Sequence, residues 1–485
     1  MKDIKIIIPV PKARRTVKES IIAYSPDSII DVQFYLRYIS GKIKFLPDLS
    51  FRYYKAMARE NIIGNTLPLT GELTPPGDKS ISHRSLMIGS LASGTTEVSG
   101  FLNCEDTIST ANAMRKLGID IDINGSEVKI AGKGLSGLRE PEDVIDAGNS
   151  GTTTRLLTGL LCAQGFFTAI TGDKYLRERP MKRVVEPLRL MGAKIAGREG
   201  GNKLPLGIEG GRLRGISYKL PVASAQVKSA LLLAGLYSEG ETEVIEPEPT
   251  RDHTERMLSY LGVKLQKKGN SIRITRQKEF AGRDISVPAD LSSAAFFIVG
   301  ALINPGSELL IRNVGVNPLR TGVIDVLRQM GGNIEVTNER EVSGEPVGDI
   351  LVKSSHLHAT VIEGEMIPKA IDELPVIAAA ACFAEGETII RDARELRVKE
   401  TDRIKAMTAE LLKLGAHVAE FEDGMSISGG ASLTGAKCSS WGDHRIAMAI
   451  SVAATRAHGE TEIYDSECVS ISFPGFFETL GRLRK

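Results

Sequence analysis

The stretch GETEVIEP, residues 240–247, reads as a glycine turn feeding a β-branched, apolar strand, and phrases of this form occur six times in the chain. The other copies are GTTEVSGF (94–101), GFFTAITG (165–172), GSELLIRN (306–313), GETIIRDA (386–393) and GETEIYDS (459–466), and successive copies start 71, 75, 66, 80 and 73 residues apart. A second phrase keeps step with the first. It is a helix end reading Leu-Gly or Met-Gly, at 117–118, 191–192, 261–262, 330–331, 414–415 and 480–481. Two independent markers at one period mean six copies of a single α/β unit.

Outward from the turn, an apolar helix precedes each copy, at 80–91, 151–163, 225–236, 292–303, 375–384 and 446–457. These helices are rich in Ala, Leu and Gly, and several are apolar on nearly every side, which predicts burial from several directions. A second, amphipathic helix ends at each Leu/Met-Gly. Three inner helices sharing one core beneath a ring of sheets give an α/β fold of two three-unit domains. The apolar runs are too short for a membrane span and carry Ser, Thr, Gln or charge. Solenoid repeats run nearer ~20–45 residues.

A length of 485 residues suggests two or three domains of about 150 residues each. A net charge of +1 gives no global attraction to nucleic acid or membrane. Five Cys without a CxxC pair, and no secretory signal, predict a reducing cytoplasm. The first 60 residues differ, with 12 Lys and Arg against 6 Asp and Glu, 8 of the 25 aromatics and neither repeat marker. Residues 1–65 are therefore set apart as a basic, aromatic extension of unassigned role. It fits an RNA- or partner-binding segment, an accessory element, or extra sequence ahead of a start at Met57. Deleting residues 1–64 is expected to leave the rest of the protein working.

The informative polar residues gather at helix starts. PGDKSISHR (76–84), GNSGT (148–152), ASAQVK (223–228) and DHR (443–445) open inner helices, while RERPMKR (177–183), TRDHTE (250–255) and RVKETDR (397–403) open outer ones. Ser, Thr, Asn and Asp in such places are N-caps first of all. If the helices point the same way, however, their free N–H groups and positive dipole ends converge, and each motif adds Lys or Arg to an anion-binding face. No Gly-x-Gly-x-x-Gly follows a strand and no Walker motif occurs, so nucleotide binding has no support. His253 and His444 lack a partner at ligand spacing, and the pair His356 and His358 fits an exposed strand face better than a metal site. Cys162 falls inside an apolar helix and is expected to pack as a small hydrophobe. Ser80 and Ser224 lack a base partner and read as hydroxyl donors.

Taken together, PGDKSISHR, GNSGTTTR (148–155), RERPMKR, ASAQVKSA (223–230), TRDHTE, IDELP (371–375), RVKETDR and DHRIAM (443–448) resemble the 5-enolpyruvylshikimate-3-phosphate synthase family, in order over residues 66–485. The resemblance implies a two-domain inside-out α/β barrel, residues 79–287 forming one domain and 66–78 with 288–485 the other. It also implies transfer of the enolpyruvyl group of phosphoenolpyruvate to the 5-hydroxyl of 3-phosphoshikimate, in aromatic amino acid biosynthesis. That reaction calls for no cofactor or metal, only acid/base groups and fixed cations. Two small-molecule substrates, no nucleic acid or membrane, and a monomer are expected.

The same resemblance assigns residues. Lys79, Ser80 and Arg84 hold 3-phosphoshikimate, with Ser224, Ala225 and Gln226 at a helix start and Arg251, Asp372 and Lys399 as further contacts. Lys79, Gly151, Arg179, Gln226, Arg403 and Arg445 cradle phosphoenolpyruvate. Asp372 accepts the hydroxyl proton, Glu400 handles the methylene proton, and Lys79 joins them as a catalytic group. The family pattern is broken at 469–474, VSISFP, which lacks the Lys that many members carry before Phe-Pro. Two rivals share parts of the pattern. UDP-N-acetylglucosamine enolpyruvyl transferase resembles a Lys-Asn opening rather than Lys79-Ser80, and a non-catalytic anion-binding repeat protein could dispense with Asp372 and Glu400.

Overall fold

The computed structural model describes residues 17–25, 28–39, 42–45, 50–55, 59–64 and 67–484, the first of these (17–61 and 63) as backbone alone. The chain divides after Ala58 into two compact units. In the first, Ser28–Ile39 runs through the middle of a four-stranded antiparallel sheet, with Val17–Ser25 on one side and Lys42–Phe45 and Ser50–Lys55 on the other. Met57 lies outside the described residues.

The second unit holds the repeats. Its inner helices are Lys79–Leu91, Gly151–Leu161, Ala225–Gly235, Leu291–Ile303, Leu374–Ala381 and His444–Ala454. All thirteen residues of Leu291–Ile303 are buried, as an all-round apolar sequence requires. Each glycine turn opens a strand whose sheet follows one plan: a parallel neighbour on one side and an antiparallel one on the other. Five outer helices end at the second marker, where Gly118, Gly192, Gly262, Gly331 and Gly415 take φ of 88–101°. That left-handed C-terminal cap suits glycine, which explains why the marker recurs. The sixth copy departs from expectation: Leu480-Gly481 lies inside the helix Phe476–Leu483 rather than at its end.

Two hydrophobic cores form. One runs from Ile81 to Val287, and the other joins Ile62, Leu69 and Leu73 to Ala289–Leu483. The chain crosses between them twice and exchanges strands as it does so. Thr70–Leu73, which precedes the first inner helix, pairs with Glu308–Gly315 of the fourth repeat, and Ile285–Ser286 pairs with Ser93–Ser99 of the first. The two crossings run side by side, with Asp78 N donating to Pro288 O and Asp290 N to Pro76 O, both at 2.8 Å.

Arg59–Gly64, placed above in the extension, pairs antiparallel with Gly459–Tyr464 as the missing strand of the sixth sheet. Ile62 is buried there, and a Cβ on Gly64 would lie 1.7 Å from Ala457 O, so the strand packs tightly on the last inner helix. The boundary of the repeat unit therefore falls at Arg59, and removing 1–64 is expected instead to disturb the sixth sheet. Deleting residues 1–57 is expected to leave the melting temperature of the repeat unit nearly unchanged. Deleting 1–64 exposes a sheet edge and loses the burial of Ile62, about 2 kcal/mol or more. Thermal melts of the two truncations make the comparison, and equal melting temperatures would refute it.

Candidate active site

The polar motifs from both halves meet in one cavity of about 650 Å³. At four of the helix starts, one residue caps and one of the next two faces the cavity. The carboxylates of Asp78, Asp402 and Asp443 accept from the backbone N–H groups of Ile81, Lys405 and Arg445 at 2.8–3.0 Å, and the Ser150 hydroxyl accepts from Thr153 N at 3.1 Å. Their successors Lys79, Gly151, Arg403 and the near neighbour Arg445 line the cavity. Ser224 does both, capping through Val227 N while lining the cavity beside Ala225 and Gln226.

Every residue assigned by the resemblance lines this space. From the first half, Lys79 Nζ sits 3.2 Å from Asp106 Oδ2. Arg84 lies deeper, donating to Thr254 Oγ1, Ser229 Oγ and Ser80 O at 2.7–2.9 Å. Burial, and then the charge of Arg251, push its pKa down to about 10. Gln226 donates to Thr152 Oγ1 at 3.0 Å and accepts from Arg155. A Cβ on Gly151 would meet Arg179 Nη1 at 3.3 Å and Arg155 Nη1 at 3.5 Å, so glycine keeps the space between two guanidiniums open.

The second half supplies the carboxylates. Asp372 Oδ1 lies 3.4 Å from both Lys399 Nζ and Arg403 Nη1, and Arg445 Nη1 donates to the Asp372 carbonyl at 2.7 Å. Glu400 Oε2 takes Arg403 Nη2 at 2.6 Å. Three ion pairs cross the cleft: Arg251–Asp372 at 3.0 Å, Arg179–Glu400 at 3.5 Å and Arg183–Glu395 at 2.9 Å. Across the cleft, cations of the first half are answered by acids of the second.

Burial alone would raise the Asp372 carboxyl, but Lys399, Arg445, Arg251 and Arg403 outweigh it and hold the group well below the usual carboxylate range. Glu400 is held down in the same way, against burial, by Arg403, Arg179 and Lys79. Burial, and then Lys79, keep His444 neutral. A carboxylate depressed in the folded state contributes stability above its unfolded pKa and loses it as pH falls through the folded value. Glu400→Gln should therefore destabilise the ligand-free protein at pH 7, with the gap to wild type narrowing as the pH falls below the ordinary glutamate value of ~4.3. Melting temperatures across that range measure it, and a gap independent of pH would contradict the charge argument.

Some motif cations do not reach the cavity. Lys228 is buried against Glu246 and Glu255 at 2.9 and 2.7 Å, where it holds the loop that carries Arg251. Arg397 turns away to Asp402 and Glu420. Other lining residues went unassigned in the sequence. Arg155 stands one helical turn after Gly151 on the same helix face, a spacing that could have exposed it. Arg183, by contrast, lies in the helix Lys182–Leu190, which begins after Arg179. Asp106 and Glu395 had no sequence signal, because their partners are distant in the chain. His253 is tied to Glu345 at 2.8 Å, and His358 lies at the surface, 3.6 Å from Glu385. Cys162 is buried, which pushes its thiol up to about 12. In the segment lacking the family Lys, Phe473 packs against Phe297 and Phe476.

Fold and cleft together define a two-domain α/β protein of six repeats, built to hold multiply anionic ligands around a pair of ionised carboxylates. The family profile for EPSP synthase (3-phosphoshikimate 1-carboxyvinyltransferase) matches residues 63–480. The 3-phosphoshikimate 1-carboxyvinyltransferase of Geotalea uraniireducens is 58% identical over 413 residues, covering 85% of this chain and 96% of that protein. That of Geobacter sulfurreducens is also 58% identical, covering 86% and 97%. The EPSP synthase structure from Acinetobacter baumannii superposes with a TM-score of 0.80 at 46% identity, covering 88% of this chain and 98% of that one. The enolpyruvyl transferase NikO of Streptomyces tendae, at 16% identity and a TM-score of 0.70 over 87% and 96% of the two chains, shares the fold. The chain belongs to the EPSP synthase family. Among the described residues, no helix is long and apolar enough to cross a membrane.

Proposed function

We propose that this cleft transfers the enolpyruvyl group of phosphoenolpyruvate to the 5-hydroxyl of 3-phosphoshikimate and releases phosphate. The observation that carries the reading is the pair Asp372 and Glu400, held ionised amid cations drawn from both halves. Each substrate carries a phosphate and a carboxylate, and groups of like charge approach only where fixed cations answer them. 3-Phosphoshikimate lies mainly against the first half, at Lys79, Ser80, Arg84, Ser224, Ala225, Gln226 and Arg251, and reaches Asp372 and Lys399. Phosphoenolpyruvate lies between the halves, at Lys79, Gly151, Arg179, Gln226, Arg403 and Arg445.

In the first step the 5-oxygen bonds to C2 of phosphoenolpyruvate and its proton goes to Asp372. In that same step C3 takes a proton from Glu400, which has picked one up from solvent once the substrates share its cations. In the second, C3 gives up a proton, the C2–C3 double bond returns, and the bond from C2 to the phosphate oxygen breaks. Glu400 handles the C3 proton. Both carboxylates are weak bases while cations surround them, four facing Asp372 and three facing Glu400. The substrates' own anionic groups share those cations, so proton affinity rises only when the site is filled. Acid/base groups and fixed cations suffice for this path, without a cofactor. Every assigned residue comes from one chain, which suits a monomeric working unit, and five buried free cysteines suit a reducing cytoplasm.

Phosphate release measured with both substrates, with each alone, and with UDP-N-acetylglucosamine as acceptor tests the reading. Release is expected only with phosphoenolpyruvate and 3-phosphoshikimate together. Release with the nucleotide sugar, or none at all, would replace the reading with one of its rivals.

A further inference from the structure

The two chain crossings end in aspartates. Asp78 caps the inner helix that begins at Lys79, and Asp290 caps Leu291–Ile303 in the other half by accepting from Ser292 N at 2.9 Å. One buried guanidinium takes both: Arg320 Nη1 lies 3.0 Å from Asp78 Oδ2, and Nη2 lies 2.6 Å from Asp290 Oδ1. Arg320 Nη2 also donates to Ser292 Oγ at 2.8 Å, and that hydroxyl donates to Glu373 Oε1. Glu373 Oε1 in turn lies 3.4 Å from Arg445 Nη1, which donates to the Asp372 carbonyl. A continuous polar chain thus runs from the Lys79 helix, through the crossing, to the groups that flank the reacting centre.

The turn that carries Arg320 grips the first half a second time. Asn317 Nδ2 donates to Asp252 Oδ1 at 2.7 Å, next to Arg251. A single turn of the second half, 317–320, therefore holds two substrate-facing segments of the first, at Asp78-Lys79 and at Arg251-Asp252. A buried network of ion pairs and hydrogen bonds of this kind favours one geometry, and loses it when a central charge is removed. Lysine cannot reproduce it, because a single ammonium lacks the planar fork that spans two carboxylates.

We propose that Arg320 is a positioning residue for the reaction, setting the separation between the Lys79 and Arg251 side of the cleft and the Asp372 and Arg445 side. The proposal rests on the substrate reading above. It predicts a split in kinetic effects. 3-Phosphoshikimate alone binds mostly to groups that move together with the first half, so their mutual placement depends less on Arg320 than the register of the two halves does. The chemical step needs both halves in register, and misplacement by about 1 Å costs on the order of a hundredfold.

The test uses the full chain with Arg320→Lys, and Arg320→Met beside it. Removing the charge outright can prevent folding, so the lysine variant decides. It should fold with a near wild-type circular dichroism spectrum, lose roughly 10- to 100-fold in kcat, and keep the Kd for 3-phosphoshikimate within about threefold. A kcat within about twofold of wild type, or Kd and kcat falling by one common factor, overturns the proposal. Hydrogen exchange of the ligand-free protein gives a reading independent of substrate. Exchange at residues 79–83 and 291–295 should quicken in Arg320→Lys while the inner helix 225–235 stays protected. Should wild type release no phosphate, the substrate reading fails; unchanged exchange at those sites would then overturn the Arg320 role as well, and quickened exchange would uphold its hold on the crossings.

Discussion

Asp372→Asn is expected to lower kcat by about a thousandfold, roughly 4 kcal/mol of transition-state stabilisation, in a protein that still folds and still binds 3-phosphoshikimate. The substitution keeps shape and hydrogen-bonding capacity but removes the proton acceptor. The expected loss exceeds that of an ordinary contact because one carboxylate meets charge from two directions. Its Oδ2 faces Arg251 of the opposite half at 3.0 Å, and its Oδ1 faces Lys399 and Arg403 at 3.4 Å. An asparagine leaves those cations under-compensated and gives the 5-hydroxyl proton nowhere to go. Ligand binding should suffer less than the chemistry, since fewer anionic groups then compete for the same cations. Single-turnover phosphate release and calorimetric titration with 3-phosphoshikimate separate the two effects. A kcat within tenfold of wild type would remove Asp372 from the proton path.

How far the sequence could be read follows from how far apart the cooperating residues lie in it. The six repeats were legible because their markers are local: a left-handed glycine at the end of an outer helix, and a glycine before a strand. Leu480-Gly481 misled for the same reason, since nothing local says that the last helix continues to Leu483. The strand Arg59–Gly64 was assigned to the extension because its partner, Gly459–Tyr464, lies some four hundred residues on, and antiparallel pairing leaves no trace in composition. The site shows the same division. Helix-start motifs identified Lys79, Gly151, Ser224, Arg403 and Arg445, because caps and their neighbours are set by adjacent residues. The motif basis alone did not separate Lys228, which is spent on Glu246 and Glu255, from Arg179, which faces the cavity. Asp106, Glu395 and Arg320 could not be read at all. Each matters through a partner that only the tertiary fold brings near.

Arg403→Met is expected to cost about 3–5 kcal/mol of stability, the largest loss among single changes in the cleft, and the cause lies in what remains behind. Arg403 is buried, and its Nε lies 2.8 Å from Asp443 Oδ2. Asp443 has no exposed surface and caps the last inner helix through Arg445 N at 2.9 Å. The pair itself adds little net stability over apolar packing, because desolvating both ions offsets their attraction. Removing one partner leaves the other as a buried, unanswered charge. The prediction is therefore sharper in the double variant. Arg403→Met with Asp443→Asn keeps a side-chain oxygen for the cap but removes the orphaned charge, so it should regain more than half of the loss. Neither variant should be active if Arg403 cradles phosphoenolpyruvate, which separates recovered stability from recovered function. Urea unfolding of both proteins, followed by circular dichroism, measures the difference. A loss under about 1 kcal/mol in the single variant would mean that the cleft tolerates an uncompensated aspartate. A double variant no more stable than the single would mean that packing around the guanidinium, and not charge, anchors this end of the helix.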